Sequence, residues 1–175
     1  NCFCPLVFCQ NRNIEELKNS LLEDLGYGNT AQKVFDLDSL IAKYKAGATQ
    51  EELLGQELMT AKKQSIKNPL FPNVDGIYFL THDGGCGGAT SDAVALCSLL
   101  AGYINNPNVA GATVLSLGCQ HAQISILERA LKRIAPELQK PVFFMEQQQS
   151  TSEPEYLAAC IKKTFVGLIK ANQVH

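Results

Sequence analysis

The 175-residue sequence predicts an α/β fold, a three-layer and mostly parallel four-stranded sheet flanked by helices, Rossmann-like, with a helical insertion after the first strand. Two observations carry the prediction. From Asp75 onward, short β-type runs alternate with amphipathic stretches, the pattern of βαβ units and a parallel sheet. Ahead of them, one apolar run over residues 2–8 is followed by three consecutive helical patterns that interrupt this rhythm.

The elements follow in order. Residues 2–8 read as the first parallel strand. Ile14, Leu17, Leu21 and Leu25 then recur at helical spacing, as do Val34, Leu37, Leu40, Ile41 and Tyr44, and then Leu53, Leu54 and Leu58. Thr49 and Glu52 have capping-box spacing ahead of the third pattern. Asn68-Pro-Leu-Phe-Pro72 is a turn-rich joint that returns the chain to the sheet. Gly76-Ile-Tyr-Phe-Leu80 is the second strand, and a glycine-rich turn leads from it to a helix over residues 91–104 that Asn105-Asn106-Pro107 stops. Ala112-Thr-Val-Leu-Ser-Leu117 is the third strand, and its helix carries Ile124, Leu127, Leu131 and Ile134 before Pro136. Pro141-Val-Phe-Phe-Met145 is the fourth. The last helix opens at Ser152-Glu-Pro-Glu155 and is expected to bury Leu157, Ile161, Phe165, Leu168 and Ile169. The chain reads as one α/β domain over 1–175, with 12–67 as the helical insert, and looks like a piece cut from something longer.

Composition excludes several function classes. Hydrophobic residues make up 46% of the chain, enough for a core. A formal charge of −2 offers no broad footprint for nucleic acid or anionic lipid, and no apolar run approaches the roughly 20 residues that span a bilayer. Seven cysteines, an odd number without framework spacing, point to a reducing, cytoplasmic compartment. Cys2, Cys4, Cys97 and Cys160 fall on core faces, where a small apolar side chain suffices.

The other three cysteines fall where chemistry is expected. Open parallel sheets bind ligands beyond the carboxyl ends of their strands. Cys9 follows the first strand, Cys86 lies in Thr81-His-Asp-Gly-Gly-Cys-Gly-Gly88 after the second, and Cys119 lies in Leu117-Gly-Cys-Gln-His-Ala-Gln123 after the third. With strands about 4.8 Å apart, three neighbouring ends lie within about 10 Å, and thiolates at that spacing share one metal centre. His82 and His121 sit in the same loops, each a candidate base or metal ligand; His175 is terminal. Gly84, Gly85 and Gly87 allow positive φ and close approach of a ligand to backbone N–H groups, forming a cradle for phosphate or carboxylate at the start of the next helix. The loop follows neither the dinucleotide fingerprint nor the P-loop pattern. Gln147 adds a polar group at the same edge.

These residues carry a resemblance. Pro72-Asn-Val-Asp-Gly-Ile-Tyr-Phe-Leu-Thr-His-Asp-Gly-Gly-Cys-Gly87, Asn106-Pro-Asn108, Leu115-Ser-Leu-Gly-Cys-Gln120 and Gln123 resemble the central region of the altronate dehydratase and galactarate dehydratase family, also called altronate hydrolases. The likeness is dense over residues 72–123 and weaker elsewhere. It implies a hydro-lyase that dehydrates an aldonate or aldarate to a 2-keto-3-deoxy acid, with a sulfo-lyase acting on sulfolactate as a relative. It also implies iron, as a ferrous ion, or another divalent metal, and three thiolates with an open fourth position suit an iron–sulfur cluster as well as a single ion. By the resemblance His82, Cys86, Cys119 and Gln123 are carried over, with Cys9 a looser match. The expected roles are His82 and Gln123 in catalysis, Cys9, Cys86 and Cys119 on the metal, and Gly84, Gly85, Gly87, His121 and Gln147 on the substrate. Gln120 departs from the family's usual Glu, and Gln147-Gln-Gln-Ser-Thr151 departs from its usual segment after the last strand. The partners implied are a small sugar acid, the other domains of the same enzyme and a homo-oligomeric copy, with no nucleic acid or membrane. Two other readings stand beside this one: a non-catalytic sugar-acid or small-anion binding domain, and a redox module, which lacks a CxxC at the sheet edge.

Overall fold

The computed structural model describes residues 1–28, 37–58 and 68–173. They form two compact units, one of Asn1–Tyr27 with Asn68–His175, the other of Gly28–Lys67.

The first unit is an α/β sandwich. Its sheet holds β1 (Cys2–Pro5), β2 (Tyr78–Phe79), β3 (Ala112–Ser116) and β4 (Val142–Glu146) in the order β2-β1-β3-β4, with every pairing parallel. Helices α1 (Asn11–Leu22), α4 (Thr90–Asn105), α5 (Ile124–Ile134) and α6 (Glu153–Gln173) cover it. The period of two along a strand assigns its residues to opposite faces. Cys2, Cys4, Leu6, Ala112 and Val114 pack under α4 and α5, through Cys97, Leu100, Ile104, Leu127 and Leu131. Phe3 and Leu115 pack on the other face against Ile14, Leu17 and Leu21 of α1 and Tyr156, Cys160 and Leu168 of α6. The sheet is thus covered on both faces, α4 and α5 on one and α1 and α6 on the other, and the strand-end loops emerge between the two layers at its carboxyl edge. Cys2, Cys4, Cys97 and Cys160 are buried as expected.

Two expectations are corrected. The first strand ends at Pro5, and Phe8–Gln10 turn as a short 3-10 helix. An apolar run does not distinguish strand from buried turn, and here Leu6 and Val7 are fully buried while Phe8 is exposed. In α6 the buried residues are Tyr156, Cys160, Thr164, Gly167, Leu168 and Ala171. Leu157, Ile161 and Phe165 are half-buried beside that row and Ile169 is exposed. The helix turns its smaller and polar residues inward because it lies close to the sheet. A Cβ on Gly167 would sit 3.1 Å from the Phe143 ring, and the Thr164 and Thr113 hydroxyls meet at 2.7 Å.

That hydroxyl pair carries a prediction. Thr164→Val strands a buried hydroxyl on Thr113 and is expected to destabilise by about 2 kcal/mol, whereas Thr113→Val with Thr164→Val is nearly neutral. Urea unfolding of both single variants and the double variant measures the coupling; strict additivity would show that the hydroxyls do not interact.

The second unit contains α2 (Leu37–Lys45) and α3 (Gln50–Leu54). The Thr49 and Glu52 capping box forms, with Glu52 N donating to Thr49 Oγ1 and Thr49 N donating to Glu52 Oε2. These bonds to its charged form hold the Glu52 carboxyl below its ordinary pKa. Neither helix buries a residue, and Val34 of the expected second pattern lies outside the described residues, as does His175. Helix α1, the first helix of the expected insert, packs within the first unit. Among the described residues no helix is long and apolar enough to cross a membrane.

Candidate functional site

The three cysteine-bearing loops sit at the carboxyl edge of the sheet and are hydrogen-bonded into one surface. After β1, Leu6 N continues the ladder by donating to Leu115 O at 2.8 Å, and Phe8 N donates to Gly84 O at 2.9 Å. After β2 the glycine loop crosses over the end of β1 and reaches the loop after β3, where Ala122 N donates to Gly85 O at 3.2 Å. The crossing is tight: a Cβ on Gly85, whose φ is +96°, would lie 2.0 Å from Leu6 O and 2.7 Å from Val7 Cα. Only glycine satisfies both the left-handed backbone and the contact.

Both loop histidines serve this assembly. Gly84 N donates to His82 Nδ1 at 3.1 Å, so His82 carries its proton on Nε2, which donates to Pro5 O at 2.8 Å. The carbonyl of His82 accepts from Asn11 Nδ2 at 2.9 Å. His121 Nδ1 accepts from Gly87 N at 3.0 Å. The lone pair that a general base would use is engaged in each ring, and His82 bridges the end of β1 and the glycine loop.

The remaining loops are organised by amides. Gln120 is buried; its Oε1 accepts from Gly118 N at 2.7 Å, and its Nε2 donates to Ser116 Oγ at 2.6 Å and to Ala122 O at 3.3 Å. Gln123 Nε2 donates to Gln120 O and, at 3.3 Å, to Gly118 O. Gln147 turns inward. Its Oε1 accepts from Gln10 Nε2 at 2.7 Å and Asn13 Nδ2 at 3.1 Å, its Nε2 donates to Glu153 Oε2, and Tyr156 closes the network through Gln10 Oε1. Sequence reading placed Gln147 on the substrate and missed Gln10 and Asn13, two buried polar residues whose only signal was their position just after Cys9. The network ties the loop after β4 to the loop after β1.

The expected anion cradle is largely spoken for. The N–H groups of Gly84 and Gly87 go to the two imidazoles. Asp92, in the first turn of α4, accepts from Ala89 N at 3.1 Å and lies against Gly88, so a carboxylate of the chain itself already holds the helix terminus. Gly85, Cys86 and Gly88 keep N–H groups with no partner among the described residues.

Cys9, Cys86 and Cys119 are all exposed free thiols on this surface. Among the described residues, however, no group of three or more His, Cys, Asp or Glu side chains gathers into a metal-binding arrangement. The residues present do not fit the three-thiolate centre expected from strand spacing: the thiols project from the surface, and the imidazoles beside them are committed to loop hydrogen bonds.

Comparisons with known proteins find relatives of this chain. Over 81 residues, 46% of this chain, it is 31% identical to the altronate dehydratase of Escherichia coli (strain K12), and over 89 residues, 51% of the chain, it is 32% identical to that of Bacillus subtilis (strain 168). These stretches span only 16% and 17% of the two relatives' lengths. No solved structure matches. The loops and strands described above fall within a match that runs over residues 2–172, and on that match the chain belongs to the D-galactarate dehydratase/Altronate hydrolase, second domain, family.

Proposed function

We propose that this chain forms one wall of the sugar-acid site of a hydro-lyase, which removes water from an aldonate or aldarate of the altronate or galactarate type to leave a 2-keto-3-deoxy acid. The observation that carries the reading is the interlocking of the three motif-bearing loops into a single surface at the carboxyl edge of a parallel sheet. The reaction takes a proton from the carbon beside the carboxylate and expels the β-hydroxyl as water. In this reading the free N–H groups of Cys86 and Gly88 and the free Oε1 of Gln123 face the substrate, while His82 and His121 hold the loop that presents them. Among the described residues the metal implied by the resemblance has no assembled ligand set, and no step is assigned to it.

The test uses the complete enzyme that contains this chain, with galactarate and altronate as substrates and 2-keto-3-deoxy acid as the measured product. Product from either substrate is expected. Saturable binding of both without product would instead favour the non-catalytic binding domain. The His82 assignment has its own check. His82→Ala is expected to lower turnover about tenfold by loosening the loop, whereas His82→Gln, which keeps one acceptor for Gly84 and one donor for Pro5, is expected to retain the rate and its pH profile. Loss of both in His82→Gln would restore the imidazole to the role of base.

A further inference from the structure

Three glutamines in a row follow β4, and the fold gives each a different task. Gln147 turns inward to Gln10 and Asn13. Gln149 Nε2 donates to Glu146 Oε1 at 3.0 Å. Gln148 lies exposed between them, in the middle of the short 3-10 helix Gln147–Gln149, and its side-chain amide has no hydrogen-bond partner among the described residues.

Gln148 is nevertheless held in place. Its backbone N–H donates to Leu117 O at 3.2 Å, which ties the loop after β4 to the end of β3. Its side chain then lies across Gly118, whose φ is +117°. A Cβ on that glycine would collide with Gln148 Oε1 and stand 2.9 Å from its Cδ and 3.1 Å from its Cβ. The bare Cα of Gly118 is thus the seat on which the glutamine rests.

That seat belongs to the candidate site. Gly118 N donates to Gln120 Oε1 at 2.7 Å, Gly118 O accepts from Gln123 Nε2 at 3.3 Å, and Cys119 is the next residue. The amides of Gln123 and Gln148 therefore flank one glycine of the Cys119 loop. Oε1 is the Gln148 amide atom nearest Gly118, which leaves its NH2 as a neutral donor with nothing yet to donate to. The carboxylate and hydroxyl oxygens of a sugar acid are acceptors for such a group. We propose that Gln148, and not Gln147, is the side chain of this tract that binds the substrate, its NH2 donating to an oxygen of the sugar acid beside Gln123. The inference rests on the hydro-lyase reading for the identity of the ligand.

The test is calorimetric titration of the complete enzyme with galactarate and with altronate. Gln148→Met keeps an unbranched side chain to lie across Gly118 but has no donor, and it is expected to weaken binding of at least one acid about tenfold with an unchanged melting temperature. Gln149→Ala, which removes the neighbouring amide, is expected to bind as the parent does. Gln148→Glu identifies the accepting oxygen. A carboxylate acceptor is repelled by the new charge, so Gln148→Glu then binds more weakly than Gln148→Met; a hydroxyl can donate to it, so Gln148→Glu then binds more tightly than Gln148→Met. Binding of both acids by Gln148→Met as tightly as by the parent overturns this proposal alone, as does an equal loss in Gln149→Ala. Failure of the parent itself to bind either acid overturns the hydro-lyase reading together with it.

Discussion

Gly85→Ala is expected to destabilise the protein by about 3 kcal/mol or more and to lower its melting temperature by roughly 10 °C. Two effects combine. The residue adopts φ +96°, where a side chain is strained by about 1 kcal/mol, and its new Cβ meets backbone atoms of Leu6 and Val7 that belong to the end of the central strand and cannot swing aside. Relief would require the glycine loop to lift off β1, breaking the Phe8–Gly84 and Ala122–Gly85 hydrogen bonds and separating the three loops. Gly87 is the control, because its φ is +76° but nothing lies within 4 Å of its added Cβ. Gly87→Ala should therefore lose only about 1 kcal/mol. Thermal and urea unfolding of the two variants make the comparison, and equal losses would show that the crossing over β1 is not a tight contact.

Alkaline pH is expected to weaken the fold steeply. Burial pushes the Cys97 thiol from its ordinary value of 9.0 up to about 11 and the Cys160 thiol up to about 12. Both side chains are fully buried, on opposite faces of the sheet. Burial also raises the Tyr156 phenol beside Cys160. In the unfolded chain a thiol releases its proton near pH 9, whereas in the folded protein it keeps it. The stability contributed by the neutral buried thiols is thus fully present below pH 9 and drains away between about pH 9 and 12. Each tenfold change in proton affinity is worth about 1.4 kcal/mol, so the two thiols together amount to several kcal/mol. Stability measured against pH for Cys97→Ala with Cys160→Ala should show a shallower alkaline slope than the parent, with the Cys4 thiol, raised by its hydrogen bond with Cys2 and by burial, and the Tyr156 and Tyr27 phenols, raised by burial, supplying what remains. A slope as steep as the parent's would place the alkaline loss elsewhere.

Much of the fold was legible because hydrophobic period reports which side of an element is buried. The alternation of Cys2 and Cys4 with Phe3, and the spacing of Leu127 and Leu131, assign core faces before any partner is known. The period failed where packing distance mattered more than hydrophobicity. In α6, Thr164 and Gly167 face the sheet and Ile169 faces out, because close approach favours small residues and a threonine hydroxyl has a buried partner. It failed again at residues 6–8, where an apolar run suited a buried turn as well as a strand.

The candidate site divides along the same line. Order along the chain was enough to place Cys9, Cys86 and Cys119 beyond strand ends and to identify the family resemblance, since a parallel sheet gathers the residues following each strand at one edge. Sequence alone thus determined the fold class, the buried cysteines and the edge at which the motifs meet. Only the tertiary structure decided what those residues do to one another. It gave the imidazoles of His82 and His121 to loop hydrogen bonds, turned Gln147 into a buried network with Gln10 and Asn13, and filled the start of α4 with Asp92. The reason is physical: a polar side chain's role depends on which donor or acceptor reaches it within about 3 Å, and such partners come from segments distant in sequence, such as Gln10 and Gln147, whose meeting no local pattern encodes.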